Sequence, residues 1–407
     1  MNKLHKLLVV ILSSIALLIS AASTAFAKVE GDTIILGAAV SLTGKYAGSG
    51  LHTQKGYDLG VKIVNDKGGV KVGGKTYKLA VKYYDDESDA AKAAALGQRL
   101  IEQDGIQYLL GPYGSGITIA MAPVSEKFGV PMVEANGAAR SLFTKGYKYL
   151  FAVLNSADQY LNSAVDLMAT KKKNATVALA FEQDAFSLDV KLGVMERIKA
   201  HGMKVVIDDA LPKELNDMTS TLQKVKALKP DLLIVSGHDK GAMTGIKQIT
   251  DLKVDVPMIA MTHCDSAAIN KNLGGGGDYT LCAAQWHKSL SYKDKFFGSG
   301  MDYAKTFEGI YKYDPPYQAA ESSAALLVYK EAFERANSFD KDKVRDALAK
   351  TDMMTFYGPV KFSETGQNLA KPMVLFQVIK GENKVVAPEK WAEAKLIYPT
   401  PKWADRK

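Results

Sequence analysis

Apolar segments of strand length alternate with amphipathic segments of helix length from residue 33 onward. This alternation is typical of βα units, in which a parallel sheet carries helices on both faces. The first series has predicted strands at 34–40, 77–84, 108–110 and 131–134. A second series opens with a helix predicted from about residue 158 to 171 and has strands at 176–181, 204–210, 231–235, 257–261 and 279–284. The sequence therefore predicts an α/β protein with two doubly wound, Rossmann-like lobes.

The last third of the chain follows a different pattern. Long helices are predicted at 303–312 and 317–336, followed by strands at 357–362 and 374–379 that are joined by a turn at 364–366. We expect the chain to return to the first lobe after residue 284 and to enter the second lobe again near its end, so that several segments cross between the lobes and form a hinge. The predicted boundaries are 28–153 plus 285–355 for lobe 1 and 154–284 plus 356–407 for lobe 2.

Residues 1–27 have the pattern of an export signal. Two lysines precede the apolar run 7–20, and Ala25 and Ala27 occupy the small-residue positions that a signal peptidase reads. We predict cleavage after Ala27 and a mature protein in the periplasm; the alternative is a retained N-terminal anchor. No later stretch reaches the roughly eighteen apolar residues that a membrane-spanning helix needs.

Charge and cysteine content bear on partners and on the oxidation state. The net charge of +8 comes from scattered lysines, and the one dense basic run, 171–173, has no interleaved aromatic residues, so no nucleic-acid partner is predicted. Cys264 and Cys282 are the two cysteines of the chain. In an exported protein such a pair either forms a disulfide or remains as two small buried thiols, and sequence alone leaves both open.

Ligands of open α/β sheets bind at the carboxyl ends of the strands. There the first lobe offers two loops of small residues, 111–118 (GPYGSGIT) and 135–140 (ANGAAR), without the lysine of a phosphate loop. Backbone N–H groups near a helix start suit a carboxylate, although capping of the helix by Ser115 and Thr118 is the alternative for either loop alone. The candidate ligand-binding residues of this lobe are Tyr46, Ser49, Tyr113, Gly114, Ser115, Asn136, Gly137 and Ala138.

The second lobe contributes histidines. His238, His263 and His287 follow successive predicted strands and are expected to face one cleft. Three imidazoles suit a catalytic zinc ion, but they are separated by whole βα units and include no close pair, so hydrogen bonding to a polar ligand by His238 or His263 is favoured over metal binding. The aromatic residues on the cleft side would together form an apolar pocket with polar ends; they are Tyr46, Tyr113, Phe186, Trp286 and Tyr317. We predict no metal, no cofactor and no enzyme activity, because the chain has neither a nucleophile elbow nor a convincing catalytic triad.

The chain resembles the type I periplasmic solute-binding proteins of ABC importers, in the branch of the leucine/isoleucine/valine-binding proteins. The segments that carry the resemblance are 35–44, 65–69, 84–87, 111–116, 129–131 and 316–320. The resemblance implies two lobes that close around a small solute and then dock on a membrane permease. We also predict a monomer. The alternative functions are a sensor for a membrane receptor on the same fold and an exported metallohydrolase that uses the three histidines.

The resemblance assigns residues and suggests a ligand. The family's carboxylate-binding serine falls on Ser115, and its pocket tyrosine falls on Phe186. In the amino-acid binders an acidic residue pairs with the ligand ammonium, and this position falls on Thr262 or His263. A threonine whose hydroxyl also helps to hold the ammonium falls on Ala138. A buried ammonium without a carboxylate partner is costly. These departures favour an aromatic or other non-amino carboxylic acid, as in the sub-branch that takes benzoate- and cinnamate-type acids; amino acids, short amides and keto acids are the alternatives.

Overall fold

A computed structural model of the chain describes residues 29–265, Leu273 and 275–406. The predicted export signal lies outside the described residues. Two seven-stranded sheets dominate the described part of the chain, and helices cover them. The chain is therefore an α/β protein with two lobes, as the alternation of apolar segments predicts.

The first lobe is built on a sheet with the order β3-β4-β2-β5-β6-β7, and β1 pairs with β2 at the amino-terminal end of that strand. All neighbours along this order are parallel except β3 and β4. Its strands are β1 (Val29–Glu30), β2 (Thr33–Val40), β3 (Val70–Val72), β4 (Lys75–Asp85), β5 (Leu109–Leu110), β6 (Met132–Glu134) and β7 (Leu150–Ala152). The connecting helices are α1 (Ala47–Asp66), α2 (Ala90–Glu102) and α3 (Ser115–Phe128), and a 3₁₀ turn covers Arg140–Thr144.

The second lobe is built on a sheet with the order β18-β17-β12-β11-β10-β8-β9, in which β17 is antiparallel to both of its neighbours, β12 and β18, and all other neighbours are parallel. The strands are β8 (Thr176–Glu182), β9 (Lys204–Leu211), β10 (Leu232–Ser236), β11 (Met258–Thr262), β12 (Leu281–Ala284), β17 (Val374–Ile379) and β18 (Glu382–Ala387). The helices are α4 (Asn162–Lys171), α5 (Ala185–Ala200), α6 (Thr219–Leu228) and α7 (Asp239–Asp251). The helix predicted from residue 158 starts at Asn162, because a separate 3₁₀ turn occupies Ala157–Gln159.

Between β12 and β17 the chain runs over the first lobe. This part contains β13 (Lys293–Asp294), β14 (Gly298–Ser299), α8 (Gly300–Tyr311), α9 (Tyr317–Ala336), α10 (Lys341–Ala349), β15 (Asp352–Thr355) and β16 (Gly358–Lys361). The buried helix α9 packs against α1, where any side chain at Gly56 would overlap the carbonyl of Ala319. The 3₁₀ turns Glu389–Trp391 and Trp403–Asp405 follow β18.

The strand predicted at 357–362 and the strand predicted at 374–379 belong to different sheets. β16 pairs with β15, whereas β17 pairs with β12 and β18. β16 pairs with β15, the strand that precedes it in the chain. The turn at 364–366 therefore leads from one sheet to another instead of joining two paired strands.

Three crossing segments form the hinge, and one side chain from each ties them together. The backbone N–H of Asn155 donates to Gln285 Oε1 (3.0 Å), and Gln285 Nε2 donates to the carbonyl of Asn155 (2.9 Å). Asn155 Nδ2 donates to the carbonyl of Lys371 (2.6 Å), and Lys371 Nζ in turn donates to the carbonyl of Gln285. Because the three segments are bonded to one another, we expect the lobes to move about a defined axis.

A disulfide joins Cys264, just after β11, to Cys282 in β12, with Cα atoms 5.5 Å apart. Both cysteines are fully buried beside the neighbouring strand ends of the second sheet. None of the helices in the described ranges combines the length and the hydropathy needed to span a membrane.

Replacing both cysteines by alanine should lower the free energy of unfolding by about 3 kcal/mol, because the disulfide closes a loop of moderate length. Urea unfolding of the oxidised protein and of the double variant measures the difference. A reducing agent should shift the wild-type midpoint and leave the double variant unchanged; equal midpoints for oxidised wild type and double variant would contradict a stabilising disulfide.

Candidate ligand-binding site

The candidate site lies between the carboxyl ends of the two sheets. In lobe 1, β2 has β4 on one side and β5 on the other, and in lobe 2, β8 lies in the same way between β9 and β10. These are the topological switch points at which open α/β sheets bind ligands. The loops after β5, β8 and β10 line one cavity of about 10 Å³, which has room for about one water. Its wall consists of Tyr113, Gly114, Ser115, Asn136, Tyr160, Phe186, His238, His263, Tyr317, Gln318 and Glu321.

Eight of the thirteen predicted ligand-binding residues line this cavity, and five lie behind or beside the wall. Those five are Tyr46, Ser49, Gly137, Ala138 and Thr262. The Thr262 hydroxyl is used by the chain itself, because it donates to the carbonyl of Gly237 (2.8 Å) and accepts from the N–H of Gly237 (3.1 Å). Of the two positions that match the family's acid, His263 is therefore the one on the cavity wall.

Ser115 joins the two loops of lobe 1. It is the first residue of α3, is buried, and its Oγ accepts the N–H groups of Ala138 (3.1 Å) and Ala139 (3.0 Å). With its lone pairs occupied in this way, its own hydrogen is available to an acceptor in the cavity. The N–H groups of Ser115 and Gly116 belong to the first turn of α3 and have no intrahelical partner. The start of α3 thus presents hydrogen-bond donors.

Glu134, which sequence reasoning missed, occupies the neighbouring loop. Its Oε1 accepts the N–H groups of Asn136 (2.6 Å) and Gly137 (2.8 Å), and any side chain at Gly111 would overlap its carboxyl group. The expectation that this loop offers free backbone N–H groups to a ligand needs correction, because Glu134 and Ser115 take the N–H groups of residues 136–139.

The hydrogen bonds of Glu134 indicate that it carries a proton. Burial raises the pKa of this fully buried carboxyl to about 7. Its Oε2 lies 3.0 Å from the hydroxyl of Thr118, and that hydroxyl also lies 3.0 Å from the carbonyl of Gly114. A hydroxyl has one hydrogen to donate, and the carbonyl of Gly114 can only accept. A protonated Glu134 that donates to Thr118 satisfies the carboxyl group of Glu134, the hydroxyl of Thr118 and the carbonyl of Gly114.

Tyr113 joins the lobes through two histidines. Its hydroxyl lies 3.1 Å from His238 Nδ1 and 3.2 Å from His263 Nε2. His263 Nδ1 lies 2.9 Å from the carbonyl of Gly237, so this nitrogen carries the hydrogen and Nε2 accepts from Tyr113. Tyr113 then accepts from His238 Nδ1. One phenol thus closes a chain of hydrogen bonds that starts and ends in lobe 2.

The charge in this chain of hydrogen bonds resides on Asp184 and His238. Burial alone would raise the pKa of Asp184, but the adjacent His238 and the hydrogen bonds of Ser187 lower it to about 2. Burial alone would lower the pKa of His238, but Asp184, 3.5 Å from Nε2, raises it above its usual value. Burial and the charge of His238 lower the pKa of His263 to about 4, so this imidazole is neutral. The cavity wall therefore carries one cation, His238, whose partner Asp184 caps α5 behind it.

Further contacts bridge the lobes outside the cavity. Ser49 in α1 donates to Asp239 Oδ2 at the start of α7 (2.5 Å), and the ring of Tyr46 lies 4.9 Å from the ring of His238. Lys45 lies 3.7 Å from Glu214 across the same gap. Tyr46 and Ser49 therefore contact the opposite lobe directly and do not line the cavity.

His287 lies apart from the other two histidines. It lies 3.5 Å from Glu393 and lines a separate, larger cavity of about 810 Å³ together with Trp286. The expectation that His238, His263 and His287 face one cleft is therefore wrong for His287, because this residue lies after β12, where the chain leaves the second sheet for the hinge. Among the described residues, no group of three or more histidine, cysteine or acidic side chains is placed to hold a metal ion.

Sequence reasoning missed three residues of the wall, namely Tyr160, Gln318 and Glu321. Tyr160 precedes α4, and its ring packs against that of Phe186 at 5.0 Å. Gln318 and Glu321 are buried in α9, one turn apart. Polar residues in a helix that is otherwise Ala- and Leu-rich were the available signal, since a buried helix carries such residues only where they have partners.

The sequence matches a known protein family. The profile of the periplasmic binding protein family matches residues 33–383, so the chain belongs to that family. It is 25% identical over 376 residues to the Leu/Ile/Val-binding protein BraC3 of Rhizobium johnstonii, covering 90% of this chain and 97% of that one.

Solved structures give the same fold. The branched-chain amino acid transporter substrate-binding protein LivJ of Streptococcus pneumoniae, in complex with isoleucine, superimposes with a TM-score of 0.76 at 21% identity, covering 90% of this chain and all of that one. A solute-binding protein of an ABC transporter from R. palustris, in complex with 4-hydroxybenzoate, gives 0.76 at 22% identity, covering 92% and 99%. The chain is a non-enzymatic solute-binding protein of the type I fold, in the branch of the leucine/isoleucine/valine-binding proteins.

Glu134→Gln should preserve the loop and remove a pH dependence of stability. The folded pKa of about 7 lies above the usual 4.5, so ionisation destabilises the wild type as pH rises between these values, by up to about 3 kcal/mol. Glutamine keeps the Oε1 acceptor and donates to Thr118 from Nε2. Urea unfolding at pH 5 and pH 8 should show the variant gaining stability relative to wild type at the higher pH.

Glu126→Gln is the matched control, because Glu126 also accepts two backbone N–H groups but lies at the other end of α3. It should keep the wild-type pH dependence. A constant difference between Glu134→Gln and wild type across this pH range would show that Glu134 is ionised throughout.

Proposed function

We propose that this protein captures a small carboxylic acid with an aromatic or other non-amino body in the cleft between its lobes and delivers it to an ABC permease. The observation that carries the proposal is the composition of the wall: a serine hydroxyl and a histidine cation accompany five further aromatic or imidazole rings. Among the described wall residues Glu321 is the one carboxyl, and burial raises its pKa well above 4.5. A neutral Glu321 is a poor partner for a ligand ammonium.

The carboxylate would lie at the start of α3. Ser115 offers its hydroxyl hydrogen there, and the first-turn N–H groups favour a negative charge. The cation of His238 favours the same charge from the opposite lobe. Hydrogen-bond donors on both lobes suit a ligand that holds the cleft closed, because a ligand stabilises the closed form only if it contacts both lobes.

The ligand body would lie among the rings. Phe186 packs at 5.0 Å from Tyr160 and 5.1 Å from His263, and Tyr317 lies 6.1 Å from His263. Flat apolar surfaces in edge-to-face contact suit an aromatic ring. Because the cavity has room for about one water, a solute enters only when the lobes separate and the Tyr113–histidine and Ser49–Asp239 hydrogen bonds break.

An α-amino acid is the second candidate. The curated relative BraC3 is named for leucine, isoleucine and valine, and LivJ was solved with isoleucine. If the ligand is an amino acid, its ammonium group would stabilise the ionised form of Glu321. The neighbour from R. palustris, bound to 4-hydroxybenzoate, supports the aromatic candidate.

The cellular setting is part of the same proposal. We infer a periplasmic monomer that is released by cleavage after Ala27 and divided into two lobes. The predicted crossings near residues 153 and 284 are kept, and the third lies near Lys371 instead of at 355, because β16 pairs with β15 in the part that runs over the first lobe. A sensor that signals to a membrane receptor is the alternative to transport, and a permease gene next to this one would favour transport.

A thermal-shift screen tests the ligand class, because a ligand that binds only the folded protein raises its melting temperature. Benzoate and its hydroxylated relatives should raise the melting temperature, whereas leucine, isoleucine and valine should not. Stabilisation by the amino acids alone would contradict the aromatic candidate.

Ser115→Ala should weaken binding of the carboxylate ligand by about 1–3 kcal/mol, the cost of losing a hydrogen bond to a charged group. Calorimetric titration measures it. Ser125→Ala is the matched control, because Ser125 is a buried serine of the same helix whose hydroxyl donates to the carbonyl of Val130 away from the cavity. If both variants bind like wild type, Ser115 is not part of the site.

A further inference from the structure

One side-chain oxygen of the cavity wall, Asn136 Oδ1, is buried without a hydrogen-bond partner. Asn136 is 8% exposed, and its backbone groups are already used, since its N–H donates to Glu134 and its carbonyl accepts from Gly114. A buried acceptor without a partner has lost its hydrogen bonds to water and gained none in return. Such a group in a ligand site needs an explanation, and the simplest is a donor on the ligand.

Ser322 determines which end of this amide is left without a partner. The hydroxyl of Ser322 donates to the carbonyl of Gln318 (2.7 Å), so towards Asn136 it can only accept. Asn136 Nδ2 fills that role at 2.9 Å. The reverse orientation of the amide would bring two acceptors together, so Oδ1 is the atom of this cavity-lining amide that is left without a partner.

A second amide lies on the same wall. Gln318 Oε1 is also buried without a partner, and Gln318 is 2% exposed. The wall of lobe 1 thus combines hydrogen-bond donors at Ser115 with two unsatisfied acceptors. One acceptor is Asn136, in the loop after β6, and the other is Gln318, in α9.

From this arrangement we infer that the solute presents a hydrogen-bond donor to Asn136 Oδ1, which Ser322 holds in place, and that solutes with such a donor are selected over isosteres without it. The inference rests on the proposed function in that the solute's carboxylate lies at Ser115. The donor is a ring hydroxyl if the solute is an aromatic acid and an ammonium if it is an amino acid. Asn136 is a specificity-determining residue and Ser322 is its positioning residue.

Calorimetry with matched ligand pairs tests the inference. The pairs are 3-hydroxybenzoate with 3-fluorobenzoate and 4-hydroxybenzoate with 4-fluorobenzoate, because fluorine is close to the hydroxyl in size and donates no hydrogen bond. The wild type should bind the hydroxylated member of at least one pair about tenfold more tightly. Asn136→Leu, which removes the acceptor, and Ser322→Ala, which lets the amide turn over, should bring that ratio towards one.

Two control variants should keep the wild-type ratio. Ser323→Ala removes a buried hydroxyl of the same helix that donates to the carbonyl of Gly56, and Asn162→Leu removes an asparagine whose unpartnered Oδ1 lies outside the cavity. A ratio near one in the wild type, or an unchanged ratio in both Asn136→Leu and Ser322→Ala with intact melting curves, would overturn the inference.

Failure of the proposed function gives a different result. If leucine binds and no benzoate does, the aromatic candidate is wrong. The same comparison is then made between leucine and 4-methylpentanoate, which lacks the amino group. A preference for leucine that drops about tenfold in Asn136→Leu and Ser322→Ala supports the inference; a preference that these variants retain overturns it.

Discussion

The hydroxyl of Tyr113 is the contact on which the closed cleft depends. It comes from lobe 1 and lies between two imidazoles of lobe 2, accepting from His238 and donating to His263. The two histidines play opposite parts because Asp184 keeps one charged, while the pKa of the other is lowered to about 4. A phenol matched on both sides in this way closes the lobes over a buried site with its own hydroxyl fully hydrogen-bonded.

The rest of the lobe 1 site is arranged around an internal acid. Glu134 takes backbone N–H groups that a ligand would otherwise bind, and its protonated form suits the hydroxyl of Thr118. The loop after β6 is thereby held by internal hydrogen bonds, and the donors left for a carboxylate are Ser115 and the first turn of α3. The acceptors Asn136 and Gln318 then supply a second polar end.

Local patterns explain what could be predicted from the sequence and what could not. The βα alternation determines both sheets, and Ser115, His238 and His263 follow directly from the ends of predicted strands. Glu134 was missed because it ends an apolar strand and acquires its role only through a loop and Gly111, which touch it in three dimensions. Gln318 and Glu321 depend on how α9 lies against the cleft, and Thr262 and His287 were misplaced because strand ends give a position along the chain and not a side-chain direction.

A structure of the protein in complex with 4-hydroxybenzoate tests the central claim most directly. In that complex the carboxylate should accept from the hydroxyl of Ser115, the ring should lie between Phe186 and Tyr317, and the ligand hydroxyl should donate to an amide oxygen of lobe 1. A carboxylate bound to lobe 2 alone, with Ser115 more than hydrogen-bond distance away, would contradict it.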